Sequence, residues 1–173
     1  VTGAITGTTA TVAKEGLGKL TLSGANTFDG AIAVNAGTLS VGHANALGSL
    51  VGDTTVVNGA ALEFQGGVSV AAEAVNLSGT GLGGTGALRN LSGANAFAGT
   101  VTLAADALVQ SDAGTLTLSG ATAIAAGSRA LTFGGAGNVI VSGAISGLGA
   151  SVTKLGTGTL TLSGANGFNG GAT

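Results

Sequence analysis

Apolar and hydroxyl side chains alternate with a period of two in Leu20-Thr21-Leu22-Ser23, Leu116-Thr117-Leu118-Ser119 and Leu160-Thr161-Leu162-Ser163. One face of each segment is then apolar and the other polar, the pattern of a half-buried β-strand. Further short strands are expected at Ile32–Val34, Thr38–Val41, Thr55–Val57, Ala61–Phe64, Val75–Leu77, Val101–Leu103 and Val139–Val141. Each spans about three to six residues, and Gly-, Asn- and Ser-rich pieces such as Ser23-Gly24-Ala25-Asn26 and Asn58-Gly59 separate them. Glycine and asparagine tolerate positive φ, so these pieces are read as tight corners. Ala72–Ala74 and Ala121–Ala126 have the propensity for a helical turn, with valine and glycine on their flanks. No segment holds a 3.6-residue amphipathic period over a dozen positions.

The strand pattern recurs at long range. Leu-Ser-Gly-Ala-Asn-x-Phe stands at Leu22–Phe28, Leu91–Phe97 and Leu162–Phe168, so that Gly24, Asn26 and Phe28 correspond to Gly93, Asn95 and Phe97 and to Gly164, Asn166 and Phe168. Ala61-Leu62-Glu63-Phe64 and Ala130-Leu131-Thr132-Phe133 supply a second marker, with Phe64 and Phe133 each 36 positions after the motif phenylalanine. Aligning residues 1–33 with 141–173 matches 19 of 33 positions. The organisation expected is one continuous segment over 1–173, with repeat units of approximately 1–70 and 71–140 and a partial third at 141–173. Such a period marks a repeat architecture.

Short strands, tight corners and a fixed lag leave a β-propeller or a β-solenoid. Propeller blades take four strands in roughly 40–50 residues, which suits a 70-residue lag poorly. Coils of about 20–25 residues, three to a unit, suit it better, and parallel coils stack about 4.8 Å apart. The fold expected is all-β, a parallel β-solenoid of about seven coils. Phe28 and Phe64, whose spacing is no whole number of coils, are expected at different azimuths, each in a wider corner of the core.

Composition sharpens this picture. Gly, Ala, Thr and Ser fill 103 of the 173 positions, charged residues are 7%, and Pro, Cys, Met, Trp and Tyr are absent. Aliphatic and small side chains suit the interior of a narrow stack. Hydrophobic content of 45% with so little charge argues against disorder by composition, and the lack of proline excludes collagen. A net charge of −2 gives no basic footprint for nucleic acid. No run of about 20 apolar residues reads as a spanning helix, and no aromatic girdle marks a pore, so no membrane insertion of this segment is expected. With neither signal peptide nor initiator Met, Val1 reads as the edge of a window cut from a longer chain.

Gly18-Lys19-Leu20-Thr21-Leu22-Ser23-Gly24-Ala25-Asn26-Thr27-Phe28-Asp29-Gly30, followed by Val34-Asn35-Ala36-Gly37-Thr38-Leu39, closely resembles the autotransporter-associated β-strand repeat. Gly158–Gly170 repeats its first half, and Gly86–Gly99 resembles it as a degenerate copy with Arg89-Asn90 at strand positions. The resemblance implies a right-handed parallel β-helix in the passenger region of a large secreted or surface-anchored Gram-negative protein associated with the outer membrane. It also implies roles in passage of the passenger across that membrane and in building its stalk.

Chemistry is sparse. His43 is the only imidazole and reads as a corner residue. The seven carboxylates, Glu15, Asp29, Asp53, Glu63, Glu73, Asp106 and Asp112, do not recur between repeats: Asp29 becomes Ala98 and Asn169. Gly81-Leu82-Gly83-Gly84-Thr85-Gly86 has the spacing of a dinucleotide fingerprint, but without the strand before and helix after that give it phosphate chemistry. No catalytic residue, cofactor or metal site is assigned. The function expected is a structural stalk, filament or adhesin shaft, whose partners are adjacent repeats or other copies stacked end to end, with host-surface ligands or glycans as further candidates. Two rivals stand beside it: an ice-binding β-helix using Thr115-Leu116-Thr117 and Thr159-Leu160-Thr161, and a polysaccharide-active β-helix with carboxylates on neighbouring coils.

Overall fold

A computed structural model describes all residues, Val1–Thr173. Every paired strand is parallel to its neighbours, and the chain winds as a solenoid of seven coils. Each regular coil has three faces. Face one carries Val12–Lys14, Ile32–Val34, Thr54–Val56, Val75–Gly79, the first part of Val101–Ser111, Thr122–Ala125 and Ala144–Ser146. Face two carries Lys19–Leu22, Gly37–Val41, Ala60–Gln65, Leu88–Ser92, the second part of Val101–Ser111, Ala130–Gly134 and Ser151–Lys154. Face three begins only at Ser69–Val70 and continues through Ala94–Phe97, Thr115–Leu118, Asn138–Val141 and Leu160–Leu162. In the coils before it, residues 23–31 and 42–53 close that side as turns and irregular chain.

Two expectations need correction. Val101–Ser111 is a single strand of 11 residues that bends from face one to face two, with a register shift between Leu103 and Ala107. Its alternating run Val101-Thr102-Leu103 reads as a complete short strand, so the continuation is missed. Ala121–Ala126 carries no helical turn: Thr122–Ala125 is a strand, because Ile124 stacks between Val101 and Ile145. Tertiary packing there overrides the high intrinsic helix propensity of alanine. Gly81–Gly86, with its fingerprint spacing, is a corner loop around a single 3₁₀ turn at Leu82–Gly84. That loop also lengthens its coil, so that successive partners on face one lie 20 residues apart at Val12 and Ile32 but 26 apart at Val75 and Val101.

Inward positions form columns. Ile32, Thr54, Val75, Val101, Ile124 and Ile145 stack on face one, and Leu20, Leu39, Leu62, Leu88, Val109 and Phe133 on face two. Together with the third face they make one apolar cluster of 34 buried residues running through the stack. Each coil covers the apolar edge of the next, so no coil buries its core alone.

The corners are laddered as closely as the strands. Of 94 backbone–backbone hydrogen bonds, 47 lie outside the regular strands, and Ser119, Ser142 and Ser163 each donate their N–H to a carbonyl one coil below, at 2.9–3.0 Å. Immediately beyond them Gly99, Gly120, Gly143 and Gly164 stack as a column. A Cβ at Gly143 would lie 1.6 Å from the Gly120 carbonyl oxygen, and one at Gly164 would lie 2.1 Å from the Gly143 oxygen. Neither contact is physically possible, so the column is glycine because inter-coil backbone leaves no room for any side chain.

The sequence repeat and the coil do not keep step. Six coils carry the Leu20 column to Lys154, 134 residues on, whereas the sequence repeats after 140. The third motif therefore arrives six residues late, and Leu160–Leu162 lies on face three while Lys19–Leu22 lies on face two. What repeats is a corner with its flanking strands, not an azimuth. Lys14 and Lys154, equivalent in sequence but on different faces, show this: each turns its Nζ onto the carbonyls of the two residues that follow it.

Gly143→Ala is expected to cost about 3 kcal/mol by forced overpacking. Gly18→Ala, where a Cβ meets nothing within 4 Å, should stay within about 0.5 kcal/mol of wild type. Urea unfolding followed by circular dichroism measures both.

Candidate functional site

Recurrence singles out the motif residues. The three asparagines do the same work. Asn26 Oδ1 accepts the Ile5 N–H at 2.9 Å, Asn166 Oδ1 accepts the Ile145 N–H at 2.9 Å, and Asn95 Oδ1 accepts both the Gly67 and Val68 N–H groups at 2.9 and 2.7 Å. Each carboxamide thus satisfies backbone of the preceding coil where the ladder would otherwise break at a corner. Asn26 and Asn95 are buried, and their Nδ2 groups donate to the Ala46 and Ser92 carbonyls. No residue other than glycine has positive φ, so these asparagines serve the corners through side-chain acceptance and not through left-handed backbone, Asn95 doing so from within the strand Ala94–Phe97.

Gly24 and Gly164 are held by close approach, since a Cβ would lie 2.4 Å from the Gly3 oxygen and 2.1 Å from the Gly143 oxygen, whereas Gly93 has φ of 88°. Phe28, Phe64, Phe97 and Phe133 are fully buried, and Phe168 is partly buried against the core in the last coil. Phe64 and Phe97 meet across the corner of faces two and three, with centroids 5.9 Å apart and planes tilted by 56°.

The scattered carboxylates are mostly clamps between coils. Glu15 accepts from Asn35, Asp29 from the Ser49 hydroxyl at 2.6 Å, and Asp106 from the Ala130 N–H at 2.9 Å. Register brings Glu63, Arg89 and Gln110 into one outward column on face two. There Glu63, fully buried, pairs with Lys19 at 2.6 Å and with Arg89 at 3.4 Å, while Arg89 also grips Asp112. Glu63 and Asp112 lie two coils apart, a juxtaposition that sequence spacing cannot reveal, because their register depends on each coil's length. Arg89 stands between them and occupies both, which leaves neither as a free acid or base. His43 lies in the turn after Gly37–Val41, and its Nδ1 accepts the Asn45 N–H at 3.0 Å.

One carboxyl is different. Glu73 sits at the corner before Val75–Gly79, 2% exposed, and its Oε1 accepts only the Thr54 hydroxyl at 3.3 Å. Burial, with a smaller contribution from Asp53, pushes its pKa up from 4.5 to about 7, against the opposing Thr54 hydrogen bond. It lines a cleft of about 300 Å³ beneath the irregular chain at 42–53, between Leu47, Leu50, Val70 and Ala71. The sequence places Glu73 among alanines with no second carboxylate at helical or strand spacing, so no signal marks it.

Comparison with known proteins bears on the repeats. The family model described as the passenger-associated-transport-repeat matches residues 12–41, 108–139 and 152–173. In those segments, somewhat under half of the chain, the sequence is similar to passenger-associated transport repeats. The matched segments include the motifs at Gly18–Gly30 and Gly158–Gly170 and take in Leu116–Gly120, while Gly86–Gly99 falls outside them. The adhesin BmaC autotransporter of Brucella suis is 45% identical over 75 residues, covering 42% of this chain. The match covers 2% of that relative's length. No solved structure matches the chain. Passenger repeats set this segment in a secreted or cell-surface protein of a Gram-negative bacterium.

Two outcomes are expected. Asn95→Ala removes the acceptor of two backbone N–H groups and should cost about 2–6 kcal/mol, taking about 1–3 kcal/mol for each unsatisfied group; denaturant unfolding reads this. For Glu73 the folded pKa is raised, so between about 4.5 and 7 the folded chain binds more protons than the unfolded one. Stability should therefore rise as pH falls from 8 to 5, by about 3 kcal/mol at most. Unfolding across that pH range should show the slope in wild type and a flatter profile in Glu73→Gln.

Proposed function

We propose that this chain is part of the shaft of a surface adhesin, a load-bearing rod that extends by repetition. The observation that supports the reading most is that every coil is joined to the next along faces and corners alike, through backbone pairing and asparagine clamps, around one unbroken apolar core. Such a rod needs no active centre. Its stiffness comes from the number of inter-coil bonds that a lateral or axial load must break together.

The outward surface favours this reading over ice binding. The outward column of face three runs Ala96, Thr117, Ile140, Thr161, so the threonine rank is interrupted on every second coil. It favours the shaft over sugar hydrolysis as well, since six of the seven carboxylates are held by contacts with other residues of the stack. Surface ligands or glycans would then be met by side chains along the rod, and further coils by its ends.

The terminal coils present strand edges without a partner coil, and unpaired edges are templates for pairing with another chain. Leu160 and Leu162 at one end, and Val12 and Leu20 at the other, carry apolar side chains only partly covered. Reversible end-to-end association is expected in sedimentation equilibrium, with the weight-average mass rising with concentration. Lysine placed at Leu160 and Leu162 together should abolish it. A constant monomer mass at every concentration contradicts stacking through the ends.

A further inference from the structure

We propose that the cleft between the 42–53 chain and the Val70–Glu73 corner is a binding site for a small alkylammonium cation, received by the Glu73 carboxylate. The two halves of that ligand answer to the two halves of the cleft. Ala44, Leu47, Leu50, Val70 and Ala71 give it apolar walls, and its volume of about 300 Å³ is at the lower end for small-molecule sites. Glu73 supplies the single charge. One of its oxygens takes the Thr54 hydroxyl; the other has no protein partner, yet no buried side-chain oxygen in the molecule is left without one. That second oxygen is therefore open to the cleft, although the residue as a whole is 98% buried.

The surroundings favour a cation and oppose an anion. Asp53 precedes Thr54 on the strand packed below Glu73, and Asp29 reaches the cleft wall through the Ser49 hydroxyl at 2.6 Å. On the loop side, His43 is committed through Nδ1 to the Asn45 N–H, and the Val70–Ala71 side contributes no titratable group. None of the five basic residues lines the cleft. One free carboxylate oxygen among apolar walls cannot assemble the six or more oxygens that a calcium ion takes, but it can accept one N⁺–H donor while the walls cover an alkyl chain. A buried carboxylate without a counter-ion is costly, which is why Glu73 holds its proton to about pH 7 in the empty cleft. A bound ammonium would supply the missing charge, so proton and ligand compete for the same oxygen.

The test uses the ¹⁵N-labelled 173-residue chain titrated with n-butylammonium chloride, with sodium chloride at equal ionic strength as the control. At pH 8.5 saturable shifts are expected for the amides of Asn45, Ser49 and Ala71, with affinity at least tenfold weaker at pH 5.5. Glu73→Gln should abolish the pH 8.5 binding, and Asp53→Asn should retain it. Absence of saturable shifts at pH 8.5, equal shifts with sodium chloride, or equal affinity at the two pH values overturns the proposal. The wild-type pH comparison decides the matter even if Glu73→Gln does not fold.

Discussion

Everything in this molecule follows from the distance at which one turn of backbone lies on the next. Parallel coils bonded about 4.8 Å apart leave no space for a Cβ wherever two corners stack directly. Gly99, Gly120, Gly143 and Gly164 show the constraint as a column of glycines whose added Cβ would overlap the carbonyl below. Where a corner cannot complete the peptide ladder, the side chain of Asn26, Asn95 or Asn166 supplies the missing acceptor. Glycine and asparagine thus answer one problem in two ways, by removing atoms or by lending them.

The same constraint explains why the repeat is a corner module. Strand interiors tolerate any apolar residue that fills the column, so Leu22, Val41 and Phe64 stack on one another without difficulty. Corners are more demanding, and the sequence that satisfies one is reused whichever face it reaches. The six residues by which the third motif overruns the coil move it from face two to face three, yet Asn166 still meets Ile145 as Asn26 meets Ile5. Surface features carried by the motif are consequently distributed round the rod and do not line one side.

Most of the fold was legible in the pattern of the chain, because alternation and punctuation are local. Strands such as Ile32–Val34 and Val139–Val141 are marked by their own residues. The continuation of Val101–Ser111 round a bend and the strand at Thr122–Ala125 are not, since only stacking against neighbours decides them. The recurring Asn, Gly and Phe positions stood out by repetition, although the reason for asparagine lay in backbone N–H donors one coil away. The Lys19–Glu63–Arg89–Asp112 ladder and the Glu73 cleft were illegible. Their members lie tens of residues apart, and their meeting depends on coil lengths that vary from 20 to 26 residues on a single face.

If coils are held by one another, resistance to opening must be a property of position in the stack. Residue-resolved amide hydrogen exchange measures that directly. The account predicts strongest protection in the middle coils, at amides such as Leu62, Ala87 and Thr115 that bond to carbonyls of adjoining coils. Protection should fall coil by coil towards Val12 and Val152, with the corner amides of Gly67 and Val68 protected as well as their neighbouring strands. Fast exchange at Gly67 and Val68, or protection that follows individual strands without regard to their place in the stack, would contradict it.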